Sequence, residues 1–512
     1  MALLDLGNVS VSEISPSLCK SGRKARNSSK ITMESESLRQ RIEQLQSRSA
    51  SLEPTTEERQ SLLSALSKFS DQFIEAIDQV PAFDASDGRP DRLGDMERQE
   101  SLDTLLSIYD EEVVRRGIKP ASGGHLGYIP GGGIYTSALG DYLADVTNEY
   151  SGIHFASPGA VAMENALIDW MKSLFGFPDT AVGNLASGGS IANLIALTAA
   201  RDRHGVKGAK VESSVVYLSP QVHHCIQKAL RIIGLEDVQI RYLELDVNHR
   251  IDPDSLKQTL AKDKQSGLHP FLVIASAGTT DTGAIDPLDE IAEVAEANNL
   301  WYHVDGAYGG FFILCNSRKE RFLGIERADS IVIDPHKSLF LPYGLGVVLI
   351  KDKEAVYHSN HYTANYMQDA RNKPAPVNPA DVSPELTKHF RGLRLWLPLK
   401  LHGIEPFVAC LEEKLLLTQY FRQRLAAEGF ELGPEPDLTV SYFWQPLAKG
   451  DENAYNRKLL EAIHRDGRVF LSSTLIGERF VIRMALLAFR TKLSTIDKAV
   501  EMILEARAGL TS

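Results

Sequence analysis

Lys337 stands in the run SIVIDPHKSLFLPYG, with apolar residues on both sides. An ammonium in such a setting is costly unless it is paired or gives up its charge. Covalent attachment to an aldehyde removes that cost and gives the lysine a chemical task. Alone, the same lysine also fits a side chain reaching water from a strand end. Asp305 ends the strand-like segment WYHVDGAYGG, and α/β sheets bind ligands at such strand ends. A carboxylate there can keep a heteroaromatic nitrogen protonated, and Ala307 leaves space beside it for a flat ring. Singly, Asp305 also suits a cap or a turn. Ser187, Gly188, Gly189, Ser190 and Asn193 open a helix that begins near Ile191. Exposed N–H groups, a hydroxyl and the helix dipole make an anion cradle there, although a glycine turn with a serine cap explains the same residues. His223 follows a strand and the turn Ser219–Pro220, so its imidazole can lie flat on a ring; His224 beside it is an open alternative. Thr280, in SAGTTDTG, follows another strand and can donate a hydrogen bond to a ring oxygen.

A lysine nucleophile, a carboxylate for a ring nitrogen, a phosphate cradle and a stacking imidazole are together the requirements of pyridoxal phosphate (PLP). Its ring serves as an electron sink while the nitrogen stays protonated. The elements that must bring these residues together are legible as alternation. Short β-branched or apolar runs appear at Ser214–Leu218, Phe271–Ala275, Trp301–Val304, Ser330–Ile333 and Gly346–Ile350, with helical patterns such as Ile191–Arg203 and Leu288–Asn298 between them. That pattern predicts an α/β domain with a mostly parallel sheet. From about Trp396 a long helix leads into a smaller α+β region. Its expected strands are Thr439–Trp444, Val469–Leu471 and Phe480–Met484, with helices near Ala454–His464 and Ile496–Ala506.

Upstream, Leu62, Leu63, Leu66, Phe69 and Phe73 give a helix with one apolar stripe, and a second amphipathic stretch covers Gln99–Arg116. Gly123, Gly124, Gly127, Gly131, Gly132 and Gly133 then surround Tyr128 and Pro130, a loop that demands unusual dihedrals or close approach. Residues 1–55 read as a disordered or weakly helical extension, 56–135 as a helical segment that packs on a dimer partner, 136–395 as the large α/β domain and 396–512 as the small domain. Residues 1–32 lack the apolar core of a secretory signal; a loosely held tail is expected there, and Met33 is a candidate start. The stretch from Ser359 to Ser383, rich in Asn and Pro, reads as a mobile loop.

The chain has 512 residues, 43% of them hydrophobic, enough for a large core and more than one domain. Its 55 basic and 67 acidic residues give a net charge of −12, a surface that repels nucleic acid and anionic lipid. Cys19, Cys225, Cys315 and Cys410 form no CxxC pair, so neither a disulfide framework nor a zinc site is expected. No apolar run is long enough for a membrane span. The expectation is a cytoplasmic protein without metal, membrane or nucleic-acid partners.

In chain order, the GGS helix start, HHCIQKA, the GTT turn, HVDGAYGG and DPHK resemble the group II PLP-dependent amino-acid decarboxylases, which include aromatic-L-amino-acid, histidine and glutamate decarboxylases. The resemblance runs from about Thr56 to about Ala506. It implies PLP fold type I, an aspartate-aminotransferase-like domain with a seven-stranded sheet, and a homodimer with shared active sites. It also implies roles. Lys337 looks like the Schiff-base lysine, with His336 its neighbour against the cofactor. Asp305 looks like the pyridine-nitrogen partner, Ala307 the residue under the ring, His223 the stacking histidine and Thr280 the cofactor-contacting threonine. Gly188, Gly189 and Ser190 match the phosphate loop. Tyr366, in HYTANYMQD, matches a loop tyrosine that protonates the intermediate.

The chain departs from the aromatic decarboxylases where Tyr128-Ile129-Pro130 is followed by Gly131. Those enzymes carry a threonine there that meets the substrate carboxylate, so Tyr128 and Gly131 are the substrate-side candidates. Tyr150 and Gly152 replace other pocket residues, and Ser338 replaces a tryptophan. The expected activity is decarboxylation of an L-amino acid, with an aromatic one favoured. An aldehyde synthase that decarboxylates and then oxidatively deaminates is the nearest alternative. Another fold type I lyase or aminotransferase, and a PLP-binding protein without turnover, are the others. Tyr366 argues against the aldehyde synthase, because plant aromatic aldehyde synthases carry phenylalanine at that loop position.

Overall fold

The computed structural model describes residues 21–85, 91–361 and 376–511. They fall into two compact units: residues up to Ile74 with Gln99–Leu106, and Glu75–Arg98 with Ser107 onward. The first unit is built on helices α1 (Ser21–Ser49) and α2 (Thr56–Ala76). Thr55 and Glu58 start α2 as a reciprocal capping box, each side chain meeting the other's backbone N–H (3.2 and 2.7 Å). Leu62, Leu63 and Leu66 of the apolar stripe are exposed.

The second unit is organised by a seven-stranded sheet. Its strands are β1 (Val182–Ala186), β2 (Ser214–Leu218), β3 (Gln239–Tyr242), β4 (His269–Ser276), β5 (Trp301–Asp305), β6 (Ser330–Ile333) and β7 (Gly346–Ile350). The spatial order is β1-β7-β6-β5-β4-β2-β3, and β7 alone runs antiparallel to its neighbours. Both faces are covered. Val215, Tyr217, Val273, Ala275, Ile331 and Ile333 belong to one core, while the alternating Val216, Leu218, Leu272, Ile274 and Val332 belong to the other. This is the two-sided burial expected of a parallel sheet, with a side-chain period of two. Asp252, Asp352 and Asp451 each cap the helix that follows, accepting from Asp254, Ala355 and Ala454 N–H groups.

Two strands of this sheet were not expected from the sequence. β1 contains Gly183 and Asn184, poor strand formers. Gly183 is nevertheless required, because a Cβ there would lie 2.8 Å from the Val348 carbonyl oxygen. β3 is a short, polar edge strand. The single long helix expected from Trp396 is two helices, Gly392–His402 and Glu405–Ala427. They break at Gly403, with φ +70, and Pro406 suits the start of the second.

The smaller sheet is antiparallel, ordered β8 (Glu431–Leu432), β9 (Val440–Trp444), β11 (Arg479–Ala485), β10 (Ser472–Ile476). The expected strand Val469–Leu471 is displaced to β10. Phe470 bonds instead to the glycine loop, donating to the Gly124 carbonyl and accepting from Leu126 N–H (2.8 and 2.9 Å). Close approach accounts for these glycines: a Cβ on Gly127 would sit 2.4 Å from the Phe470 ring, and one on Gly123 2.5 Å from the Arg490 carbonyl oxygen.

Candidate active site

The parallel strands deliver the chemical residues to one sheet edge. β1 ends at Ala186, and Ser187 and Gly188 lead into helix α3 (Gly189–Arg203). His223 follows β2, Thr279 and Thr280 follow β4, Asp305 closes β5, and Lys337 lies in the helical turn Pro335–Ser338 after β6. Ser187, Gly188, Gly189, Ser190, His223, Thr280, Asp305, Ala307, His336 and Lys337 line a common cavity of about 410 Å³, a volume suited to a small cofactor.

Lys337 Nζ is 3.2 Å from Asp334 Oδ2. Burial works against its ammonium, but the carboxylates of Asp334 and Asp305 outweigh burial and leave the pKa above the ordinary lysine value. Asp305 Oδ1 accepts the Ala307 N–H (3.1 Å), and Oδ2 faces the Asn193 amide at 3.4 Å. Burial pushes the His223 pKa below its usual value, aided by His224 and Lys337 and opposed by Asp305. Its Nδ1 accepts the Cys225 N–H at 3.3 Å, which fixes the ring. Between the two histidines, His223 is the one that lines the cavity. His336 donates from Nδ1 to the Leu345 carbonyl, and burial lowers its pKa. The Thr280 turn is tied down by Arg483 of the small sheet, whose guanidinium donates to the carbonyls of Thr280 and Asp281.

These residues fit PLP. The Gly188 carbonyl accepts from Ile191 and Ala192 N–H groups (3.1 Å each), and among the described residues the N–H groups of Gly189 and Ser190 have no partner. The start of α3 can therefore take a phosphate. A Cβ on Gly189 would stand 2.8 Å from Asp334 Oδ2 and 3.3 Å from the Ala307 Cβ, so the cradle admits only glycine without a shift. Asp334 Oδ1 is buried with no hydrogen-bond partner among the described residues, an orphan acceptor packed between Gly189 and Gly346 beside the lysine turn.

Tyr128 and Gly131 are not among the residues lining this cavity. Tyr128, with φ +50, is exposed and packs on Phe470 and His125. Gly131 is buried against the backbone of the lysine turn: a Cβ would lie 2.3 Å from the His336 carbonyl oxygen and 2.9 Å from that of Lys337. With this backbone a threonine cannot stand there. Asn193, grouped with the anion cradle by its sequence position, turns its amide to Asp305 and His303 instead. Asp334 and Cys225, inside the motifs, and Gln221 and Tyr343, near them, also line the cavity and carried no further signal. Tyr366 lies outside the described residues, as does most of the Asn- and Pro-rich stretch around it. Among the described residues no helix is long and apolar enough to cross a membrane.

Comparison with known proteins places the chain in a family. A family model described as the pyridoxal-dependent decarboxylase conserved domain covers residues 93–445. An aromatic-L-amino-acid decarboxylase of Bacillus atrophaeus is 35% identical over 389 residues, 75% of this chain and 80% of the relative. A phenylacetaldehyde synthase of Arabidopsis thaliana is 28% identical, covering 80% of this chain and 87% of its own. A crystal structure of Oryza sativa TDC with PLP and tryptamine superposes with a TM-score of 0.84 at 24% identity, over 90% of this chain and 99% of that one. With a family match spanning well over half its length, the chain belongs to the pyridoxal-dependent decarboxylases and is a PLP-dependent amino-acid carboxy-lyase.

Proposed function

We propose that this decarboxylase acts on an aromatic L-amino acid, releasing carbon dioxide and the corresponding amine, and that it works as a homodimer. The observation that carries the site assignment is that Lys337, Asp305, His223 and the start of α3 meet in one cavity. The aromatic preference is supported by the Bacillus relative, named for aromatic amino acids.

When bound, PLP supplies a sink for the electrons that remain as the carboxylate leaves. The chain does the rest. Lys337 would hold the cofactor through its aldehyde and give way to the substrate amine. Asp305 would face the ring nitrogen, and the N–H groups of Gly189 and Ser190 would hold the phosphate. His223, its pKa lowered by burial, would stack on the ring. Thr280 would donate to the ring oxygen, Ala307 would leave room for the ring, and His336 would wall the lysine turn. Tyr366 returns a proton to Cα.

Tyr366 also separates amine from aldehyde as product. A positioned acid protonates faster than oxygen reacts. Tyr366→Phe should therefore keep PLP and carbon dioxide release, while amine yield falls and aldehyde, ammonia and peroxide appear. Measuring amine and aldehyde together across a panel of L-amino acids tests both proposals. Amine from aromatic substrates is expected from the wild type. Aldehyde from the wild type would favour the synthase, and an unchanged amine yield in the variant would remove Tyr366 from the mechanism.

Helix Tyr135–Thr147 supports the dimer. Tyr135, Leu139, Tyr142, Leu143 and Val146 recur on one face and are exposed, and an uncovered apolar stripe of this kind marks an interface. Sedimentation should give a dimer at working concentrations; a fully active monomer would contradict it. Among the described residues Cys225, Cys315 and Cys410 form no disulfide, which supports a reducing, cytoplasmic setting.

A further inference from the structure

Behind Asp305 lies a buried chain of side chains that the chemistry above leaves unused. Trp301 Nε1–H donates to Ser330 Oγ at 2.8 Å. Ser330 Oγ lies 2.8 Å from His303 Nδ1, and His303 Nε2 lies 2.7 Å from Asn193 Oδ1. Asn193 Nδ2 then meets Asp305 Oδ2 at 3.4 Å and Cys225 Sγ at 3.5 Å. The sequence explains the alignment. Trp301, His303 and Asp305 alternate along β5 and so face one side of the sheet. Ser330 stands opposite His303 in the register of β5 and β6, and Asn193 projects from α3. Ser330, His303 and Asn193 are fully buried, so the links from Trp301 to Asn193 are closed to water.

The chain has a direction. A tryptophan N–H only donates and a carboxylate only accepts, so both ends are fixed. Burial lowers the His303 pKa to about 4, which leaves the imidazole neutral at physiological pH, with one donor and one acceptor. Asn193 must turn its N–H toward Asp305, so its oxygen faces His303. His303 Nε2–H therefore donates to Asn193, and Nδ1 accepts the Ser330 hydroxyl, whose oxygen in turn accepts the Trp301 N–H. Every polar atom is satisfied in this one arrangement, and every donor points toward Asp305. A flipped Asn193 would set two acceptors against each other and leave His303 mismatched, a costly fault in a dry site.

We infer that Asn193 and His303 are positioning residues: through this chain they hold the Asp305 carboxylate aimed at the cavity. The inference rests on the assignment of Asp305 to the ring nitrogen. The Asn193 amide faces one oxygen of Asp305, and the Ala307 N–H secures the other. Asn193→Asp keeps the shape but removes the donor and adds a second carboxylate. Asp305 then faces a second carboxylate in place of a donor and loses its fixed aim.

The test compares two ligands on the full chain, stripped of cofactor and reloaded: PLP, and its deaza analogue with carbon in place of the ring nitrogen. The affinity ratio isolates the nitrogen's interaction. Wild type should prefer PLP by about ten- to a hundredfold, the worth of a hydrogen bond to a charged group. Asn193→Asp should lose most of that preference while binding the deaza analogue as wild type does. His303→Phe, which leaves Asn193 free to flip, should lose part of it, and His303→Gln, with one donor and one acceptor in reach, should retain more. A preserved ratio in Asn193→Asp and His303→Phe would overturn the inference. So would an equal loss for both ligands, which marks a merely structural role. If wild type and Asp305→Asn both fail to discriminate, Asp305 is not the nitrogen's partner and the underlying site assignment falls first.

Discussion

Amine production in Lys337→Ala should fall by several orders of magnitude, because the covalent attachment of the cofactor is lost. The variant has a second consequence that must be separated from the first. Asp334 is buried, and the Lys337 ammonium 3.2 Å away is its counter-charge. Removing one partner of a buried pair leaves a carboxylate that costs about 3–5 kcal/mol unless it takes up a proton. Part of any defect in Lys337→Ala could therefore be loss of the fold. Adding Asp334→Asn neutralises the stranded charge, so the double variant should recover melting temperature and still make no amine. Recovery of turnover in the double variant would show that Lys337 serves the fold and not the chemistry.

Asp305→Asn should lower kcat by about 10²–10³-fold, the size of effect seen when one pre-organised electrostatic partner is removed. Two donors already address this side chain, the Ala307 N–H and the Asn193 amide. An asparagine can satisfy only one of them with its single oxygen and brings no charge to a ring nitrogen. Cofactor should still attach to Lys337, because the start of α3 and Lys337 are untouched. Full turnover at saturating PLP would exclude Asp305 as the charge that supports the reaction.

The parts of the site legible in the sequence were those fixed by strand ends. Asp305 terminates β5 and Lys337 follows β6 in the next turn, so a β-run followed by glycine or proline announced both positions. Most of the sheet was legible for the same reason: β2, β4, β6 and β7 are short apolar runs bounded by turn residues, and β5 alternates apolar residues with His303 and Asp305. What failed to show depended on a partner distant in the chain. β1 reads as a poor strand because Gly183 answers to Val348 across the sheet, not to its own neighbours. Phe470 is drawn out of the expected strand by the glycine loop. Gly131 looked like a lost substrate contact, and its role in the fold is close passage over the carbonyls of His336 and Lys337. Asn193 sits where a phosphate loop would use it, yet the fixed direction of the hydrogen bonds through His303 turns its amide the other way. Asp334 is visible in the motif itself, but its burial against Lys337 belongs only to three dimensions.

The central claim is that the cofactor is held on Lys337, in the cavity that also contains Asp305. Borohydride reduction of the purified protein, followed by digestion and mass mapping, tests it most directly. The expected result is one pyridoxyl group per chain, on the peptide that contains Lys337, with no labelling in Lys337→Ala. Labelling of a different lysine, or the same labelling in the Lys337→Ala variant, would contradict it.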